Sequence, residues 1–258
     1  MLKRNKLPAF KKLPYTFDVK KIQQVLKNMP DINDLTVKNG YGDKVGSTCS
    51  NLQSAFGLKF NTLEEAYSWL EDNNISKENQ IINGKKFAPD FRNYIQKSYD
   101  NKYEVNASPY KQIGLTEYNP DAENRVYDKK IPKSRLDERH YNKPVDWILG
   151  TYIEDVLNTF IAEHTRARVA VMNPGTHIKE HIDYDTDYSV RYHIPLETNN
   201  NCGFYVIDKD GNKRIQQMNS GECWFINQGF KHSAWNYGET PRYHIVISCL
   251  GQDDLFVE

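Results

Sequence analysis

After Thr165 the chain becomes a series of short runs rich in β-branched and aromatic residues: "RARVAVMN", "YSVRYHIPL", "CGFYVID", "ECWFINQ" and "RYHIVISCL". Turn chemistry separates them, at Pro174-Gly175, Asp210-Gly211, Asn219-Ser220-Gly221 and Tyr237-Gly238. "DKDGNK" adds a hairpin signal. Runs this short cannot bury an apolar face alone. At near-regular spacing they are expected to pair antiparallel and close into a barrel or sandwich. There are no internal repeats and no low-complexity segments.

The first half reads differently. "DVKKIQQVLKNM" spaces Val19, Ile22, Val25 and Leu26 as one helical face and stops before Pro30. "NTLEEAYSWLED" opens with Thr62 and has Glu65 three residues on, a capping-box pattern. "KNGYGDKVGSTCSN" is a glycine-rich loop without the order of a phosphate-binding loop. "ENQIINGKK" reads as a polar turn, Ser108–Tyr118 as a strand, and "DAENRVYDKKIPKSRLDERHYNKP" as solvated charged surface. "GTYIEDVLNTFIAEH" is a second capped helix, with Thr151 followed by Glu154 and an apolar face of Ile153, Val156, Leu157 and Phe160. The expected division is a mixed, partly helical region over 1–105 and a β domain over 106–258.

A chain of 258 residues can bury a sizeable core without disulfides. Cys223 and Cys249 lie in strand-like runs, where buried free thiols are expected, and no cysteines are spaced C-x-x-C. Lys plus Arg equals Asp plus Glu, 34 each, so no nucleic-acid partner is expected. The basic N-terminus "MLKRNKLPAFKKLP" lacks an apolar stretch and reads as a frayed tail, and no run is long enough to span a membrane. The expectation is a soluble, cytoplasmic protein.

The chemistry concentrates in "HIDYDTDYSVRYH", His181 to His193. A mononuclear non-haem iron site needs two imidazoles and a carboxylate on one face, with the other face open. His181-x-Asp183 suits this if both leave a strand end on the same side, and His232, ahead of a strand-like run, offers the third ligand. Arg242, ten residues further, can bind a dicarboxylate through its fork. H-x-D alone is a weak signal; H-x-D, then H, then R after ten residues is a specific one. Strand alternation also puts Arg191 and His193 on one face.

"NPGTHIKEHID" with "SVRYHIPL", and "SGECWFINQGFKHSAWNYGETPR" with its H-x-x-W-N-x-G-x-x-x-R run, resemble the aspartyl/asparaginyl β-hydroxylases. These are Fe(II)/2-oxoglutarate dioxygenases with a double-stranded β-helix (jelly-roll, cupin-like) core. The spacing is also similar to bacterial hydroxylases of free proline. The resemblance covers about residues 166–250. It implies His181, Asp183 and His232 as iron ligands, and Arg242, His193 and Arg191 around the carboxylates of cosubstrate or substrate. It implies Fe(II), 2-oxoglutarate and O2 as cofactors, with ascorbate as reductant in vitro. Two positions depart from the pattern: Asp183 stands where the mammalian enzymes have glycine, and Ala170 stands where the family has a cosubstrate-binding serine.

The expected activity is hydroxylation of an unactivated C–H bond on a free amino acid or on a side chain of a peptide or protein. Arg168, on the face of Ala170, and Trp235 are candidates to line the substrate pocket. The competing class is a non-catalytic cupin-type module that holds a metal or small ligand; such a module has no need of Arg242. An inert scaffold is a third class, disfavoured by a complete triad. Halogenation is disfavoured because it frees a halide position by losing the carboxylate ligand. Asp185 and Asp187 read as loop carboxylates, and His177 is not a ligand, because its offset from His181 suits a helix that Pro174-Gly175 forbids. His244 reads equally as pocket or core.

Overall fold

The β-branched and aromatic runs do form strands. The computed structural model describes residues 1–29, 81, 82, 85, 86, 110–123, 125, 127 and 137–258. Its elements in chain order are β1 (Phe10–Thr16), α1 (Val19–Lys27), β2 (Ile81–Ile82), β3 (Lys85–Lys86), β4 (Tyr110–Gly114), β5 (Thr116–Glu117), α2 (Pro120–Glu123) and β6 (Lys143–Pro144). After these come α3 (Tyr152–Asn158), β7 (His164–Met172), β8 (Thr176–His181), β9 (Val190–Glu197) and β10 (Cys202–Ile207). The chain closes with β11 (Lys213–Gln216), β12 (Glu222–Ile226), β13 (His232–Asn236) and β14 (Arg242–Cys249).

Two antiparallel sheets make the core, in the orders β1-β12-β9-β14-β7-β4 and β11-β10-β13-β8. The non-consecutive neighbours are those of a double-stranded β-helix, and a cavity between the sheets takes side chains from both. The alternation that the sequence displays sorts side chains between two interiors. On β7, Val169 and Val171 face the outer core while Arg168 and Ala170 face the cavity; on β14, Ile245 and Ile247 face outward while Arg242, His244 and Val246 face in. The outer core is completed by α1 and α3, through Ile22, Ile153, Val156 and Leu157. Each such fully buried aliphatic side chain contributes about 1.5–3 kcal/mol.

Both helices near their expected positions stand with altered ends. Asp18 caps α1, accepting from the Lys20 and Lys21 amides at 3.0 and 3.2 Å. The expected Thr151–Glu154 box does not close. Thr151 Oγ1 donates back to the Ile148 carbonyl, and Glu154 takes the Gly150 amide instead, each at 2.6 Å. Helix α3 ends at Asn158, so Phe160 lies beyond it, yet it is buried and stacks on Tyr192 at 5.2 Å. Residues 81–82 and 85–86 pair as a two-rung ladder where a polar turn was expected. The expected helix over 61–72, with its Thr62–Glu65 box, and the expected glycine-rich loop over 38–51 lie outside the described residues.

The N-terminus is not a frayed tail. Phe10–Thr16 is an edge strand of the larger sheet, paired with β12, so strand from ahead of residue 106 is built into the barrel. Ahead of it, the Leu2 amide donates to Gln252 Oε1 at 2.7 Å and the Arg4 amide to Asp185 Oδ1 at 2.9 Å. Asn227 Nδ2 donates to the Arg4 carbonyl at 2.9 Å. The alternation in "FKKLPYTF" was too weak to show as a strand because only Leu13 of it is fully buried. The turn at Asn219–Gly221 forms as expected: Gly221 has φ +81°, and a Cβ there would lie 2.7 Å from the Phe17 carbonyl. No helix among the described residues is long and apolar enough to cross a membrane.

Candidate active site

His181 ends β8 and His232 begins β13, and the two are paired directly across the strands. Their rings lie 4.2 Å apart, centroid to centroid. The register carries a bulge: His232 faces His181, but Ala234 faces Ile178, so β8 spends one more residue than β13 between these pairs. That extra residue lets both Ile178 and His181 line the cavity although they are three apart. Asp183 follows the strand end, held by its amide to the Gln228 carbonyl at 3.1 Å. Its Oδ1 lies 3.9 Å from His181 Nε2 and its Oδ2 3.8 Å from His232 Nε2. One ligand atom from each of the three residues falls within 4.8 Å of the others. The three gather at a cavity of about 480 Å³, counting its open part.

Burial and neighbouring charges act on Asp183 and on His232. Burial would raise the Asp183 carboxyl, but Arg191, then His181 and His232, hold it well below the usual carboxylate range. Burial, then the charge of His181, lowers His232 to about 4. A carboxylate with neutral imidazole is the donor set a hard-to-borderline divalent metal takes. His232 Nδ1 meets the Phe230 carbonyl at 2.9 Å, which leaves Nε2 facing Asp183.

Further in, β14 supplies Arg242, which is 2% exposed. Its guanidinium lies over Phe204 at 4.5 Å, with Nη1 on Met172 Sδ at 2.7 Å and Nη2 on His244 Nδ1 at 3.1 Å. Burial first, then Arg242, pushes His193 and His244 well below the ordinary histidine range, so both are neutral. His193 Nδ1, His244 Nε2 and Gln228 Oε1 are buried without a hydrogen-bond partner among the described residues, and all three residues line the cavity.

The structure brings together His181, Asp183, His232, Arg242, His193, Arg191 and Arg168 on this cavity. Arg168 donates to the Arg166 carbonyl at 3.0 Å. Arg191 lines the cavity and also pairs with the protein's own carboxylates. Its Nη1 bonds Asp183 Oδ2 and its Nη2 bonds Glu138 Oε1 at 2.6 Å. Trp235 does not line the cavity. Alternation on β13 points His232 and Ala234 in and Trp235 out, where it packs beside Tyr205 and Tyr237 and against Gly203. His177 is also turned out, satisfied by Tyr237 Oη at 2.7 Å and Ser233 Oγ at 3.1 Å. Asp185 serves the N-terminal segment, pairing with Arg4.

Sequence reasoning missed Glu138. It sits in the charged stretch expected to be solvated, yet it is 1% exposed, and neighbouring Arg139 is 6% exposed. Burial would raise its carboxyl, but Arg191, then Arg166 and Arg168, hold it down at about 2. No periodicity or motif marks it, because its partners lie 28, 53 and 110 residues away.

Strand order and cavity together define a cupin-like double-stranded β-helix with a His-x-Asp and a distant His at the cavity. The chain belongs to the aspartyl/asparaginyl beta-hydroxylase family, whose sequence model matches residues 73–251. A curated relative, the L-proline cis-4-hydroxylase of Rhizobium meliloti (strain 1021), is 34% identical over 83 residues. That match spans 31% of this chain and 28% of the relative, so less than a third of the relative's length is covered. An oxidoreductase of the 2OG-Fe(II) oxygenase family from Burkholderia pseudomallei is 14% identical with a TM-score of 0.36, covering 57% of this chain and 71% of that one. A Pseudomonas putida prolyl-4-hydroxylase is 14% identical with a TM-score of 0.30, covering 38% and 56%.

Proposed function

We propose that the protein is an Fe(II)- and 2-oxoglutarate-dependent hydroxylase of an unactivated C–H bond on an amino acid, free or within a peptide. The observation that carries this is the convergence of two imidazoles and one carboxylate on a cavity that also holds a buried arginine. The donor set fits a mononuclear metal, and three protein ligands leave coordination positions open. His181, Asp183 and His232 would hold the iron. When bound, iron with 2-oxoglutarate and O2 supplies the oxidising power for C–H hydroxylation, giving succinate and CO2.

The chain's part is positioning and exclusion of water. Arg242 would hold the distal carboxylate of 2-oxoglutarate, with burial strengthening the charge-assisted bond. His244, hydrogen-bonded to Arg242, fills the helper role that Ala170 cannot. The unpaired polar atoms of His193, His244 and Gln228 call for a polar ligand, since a buried donor or acceptor left unmade costs about 1–3 kcal/mol. Arg168 would face a carboxylate of the substrate. Phe204, Ile178, Ala234 and Val246 supply the apolar wall.

The test is incubation with Fe(II), ascorbate, 2-oxoglutarate and a panel of amino acids and peptides. Proline heads the panel because the curated relative is named for it. Succinate is expected, with the gain of one oxygen by one panel member in mass spectrometry. Iron-loaded protein that makes no succinate under any condition would sink the proposal.

A further inference from the structure

We infer that Glu138 is a positioning residue for the Asp183 carboxylate, acting through Arg191; the inference rests on the metal-site reading above. Glu138 lies in the short turn Glu138–His140, outside the barrel strands. Its backbone is pinned there by the Glu138 amide, which donates to Tyr188 Oη at 2.9 Å, and Tyr188 Oη donates on to Asp137 at 2.8 Å. Its carboxylate reaches between β7, β9 and β14. Oε1 accepts from Arg191 Nη2 at 2.6 Å and from Arg166 Nη1, and Oε2 accepts from Ser248 Oγ at 2.9 Å.

This arrangement divides the Arg191 fork. A guanidinium beside one carboxylate tends to grip it with two parallel bonds, one to each oxygen. Such a grip on Asp183 would engage both oxygens of the group meant for a metal. Here Glu138 takes Nη2, so Arg191 reaches Asp183 Oδ2 with Nη1, and Asp183 Oδ1 faces His181 Nε2 at 3.9 Å. The second carboxylate thus sets how Arg191 holds the first. It also places a balancing negative charge between Arg191 and Arg166, whose side chains are 11% and 14% exposed. Partners that orient a metal-binding carboxylate typically alter metal affinity by roughly 10–100-fold when removed.

The experiment measures Mn(II) and Co(II) binding to the full chain by calorimetry, without 2-oxoglutarate or turnover, in a double-mutant cycle. Glu138→Gln is expected to weaken binding by about tenfold or more. In an Arg191→Met background the same change is expected to have less than about a threefold effect, because no fork remains to grip Asp183. Thermal melting in chelator checks that each variant is folded at the assay temperature. If Glu138→Gln is not, Glu138→Asp carries the same comparison: it keeps the charge and withdraws the carboxylate by one methylene. Equal losses in both backgrounds, or wild-type affinity in the single variant, overturn the inference while leaving the metal site standing. Failure of the wild-type chain to bind either ion overturns the metal-site reading, and this inference with it.

Discussion

Mild acid should unfold this protein through its buried histidines, before its carboxylates titrate. His177 and His232 are 4% exposed, and burial lowers them to about 3 and about 4. In the unfolded chain each takes up a proton near pH 6.5. Between that pH and the folded value, the unfolded state binds more protons than the folded one. Stability therefore falls as the pH drops. Each such histidine costs up to about 1.4 kcal/mol per pH unit, and half of that at pH 6.5 itself, so from pH 6.5 to 5 these two remove about 3 kcal/mol. His193 and His244 are shifted the same way and add to the loss. Glu138 and Glu222, both held at about 2, contribute stability that is lost only below about pH 4.5. A domain whose whole stability is about 5–15 kcal/mol should thus show a steep early decline. The assay is the melting temperature of the metal-free protein in chelator from pH 7.5 to 4.5. A fall beginning near pH 6.5 is expected, shallower in His177→Gln, which removes one of the titrating groups. A melting temperature flat between pH 7 and 5 would refute the reasoning.

Arg242→Met should raise the KM for 2-oxoglutarate by at least about 30-fold, since losing one partner of a buried charge pair costs about 2–5 kcal/mol; a change under about threefold in succinate formation would remove Arg242 from the cosubstrate site. Gly203→Ala should cost about 1–3 kcal/mol, because its Cβ would stand 2.5 Å from the Trp235 ring, and adding Trp235→Leu should recover much of the loss in chemical denaturation. Trp235→Phe should leave the KM for 2-oxoglutarate within about twofold, as expected of a side chain outside the cavity. Asp254→Ala should destabilise by about 3 kcal/mol, seen as a lower midpoint in urea, because the fully buried carboxylate accepts from the Ile161 and Ala162 amides and from Tyr15 Oη.

The sequence by itself determined the strand-rich character after Thr165, the turns between strands, and the set of residues able to hold a metal. These are local or periodic properties. Alternation of two and the chemistry of Gly, Pro and Asn act within a few residues, so they are visible without the fold. The H-x-D pair and the ten-residue step from His232 to Arg242 were legible as motifs, while the 49-residue step from Asp183 to His232 was bridged only by the family resemblance. Tertiary structure decided the rest. The bulge in β8, which turns His181 inward, depends on the register against β13 and leaves no mark in composition. Alternation said that neighbours on a strand face opposite ways, but only sheet packing chose which way, sending Trp235 out and His244 in. Arg191 lines the cavity, but its carboxylate partners could not be read from the sequence. Its ion pair with Glu138, 53 residues away, exists because the turn Glu138–His140 packs against β7, and the attraction strengthens only once both groups have left water.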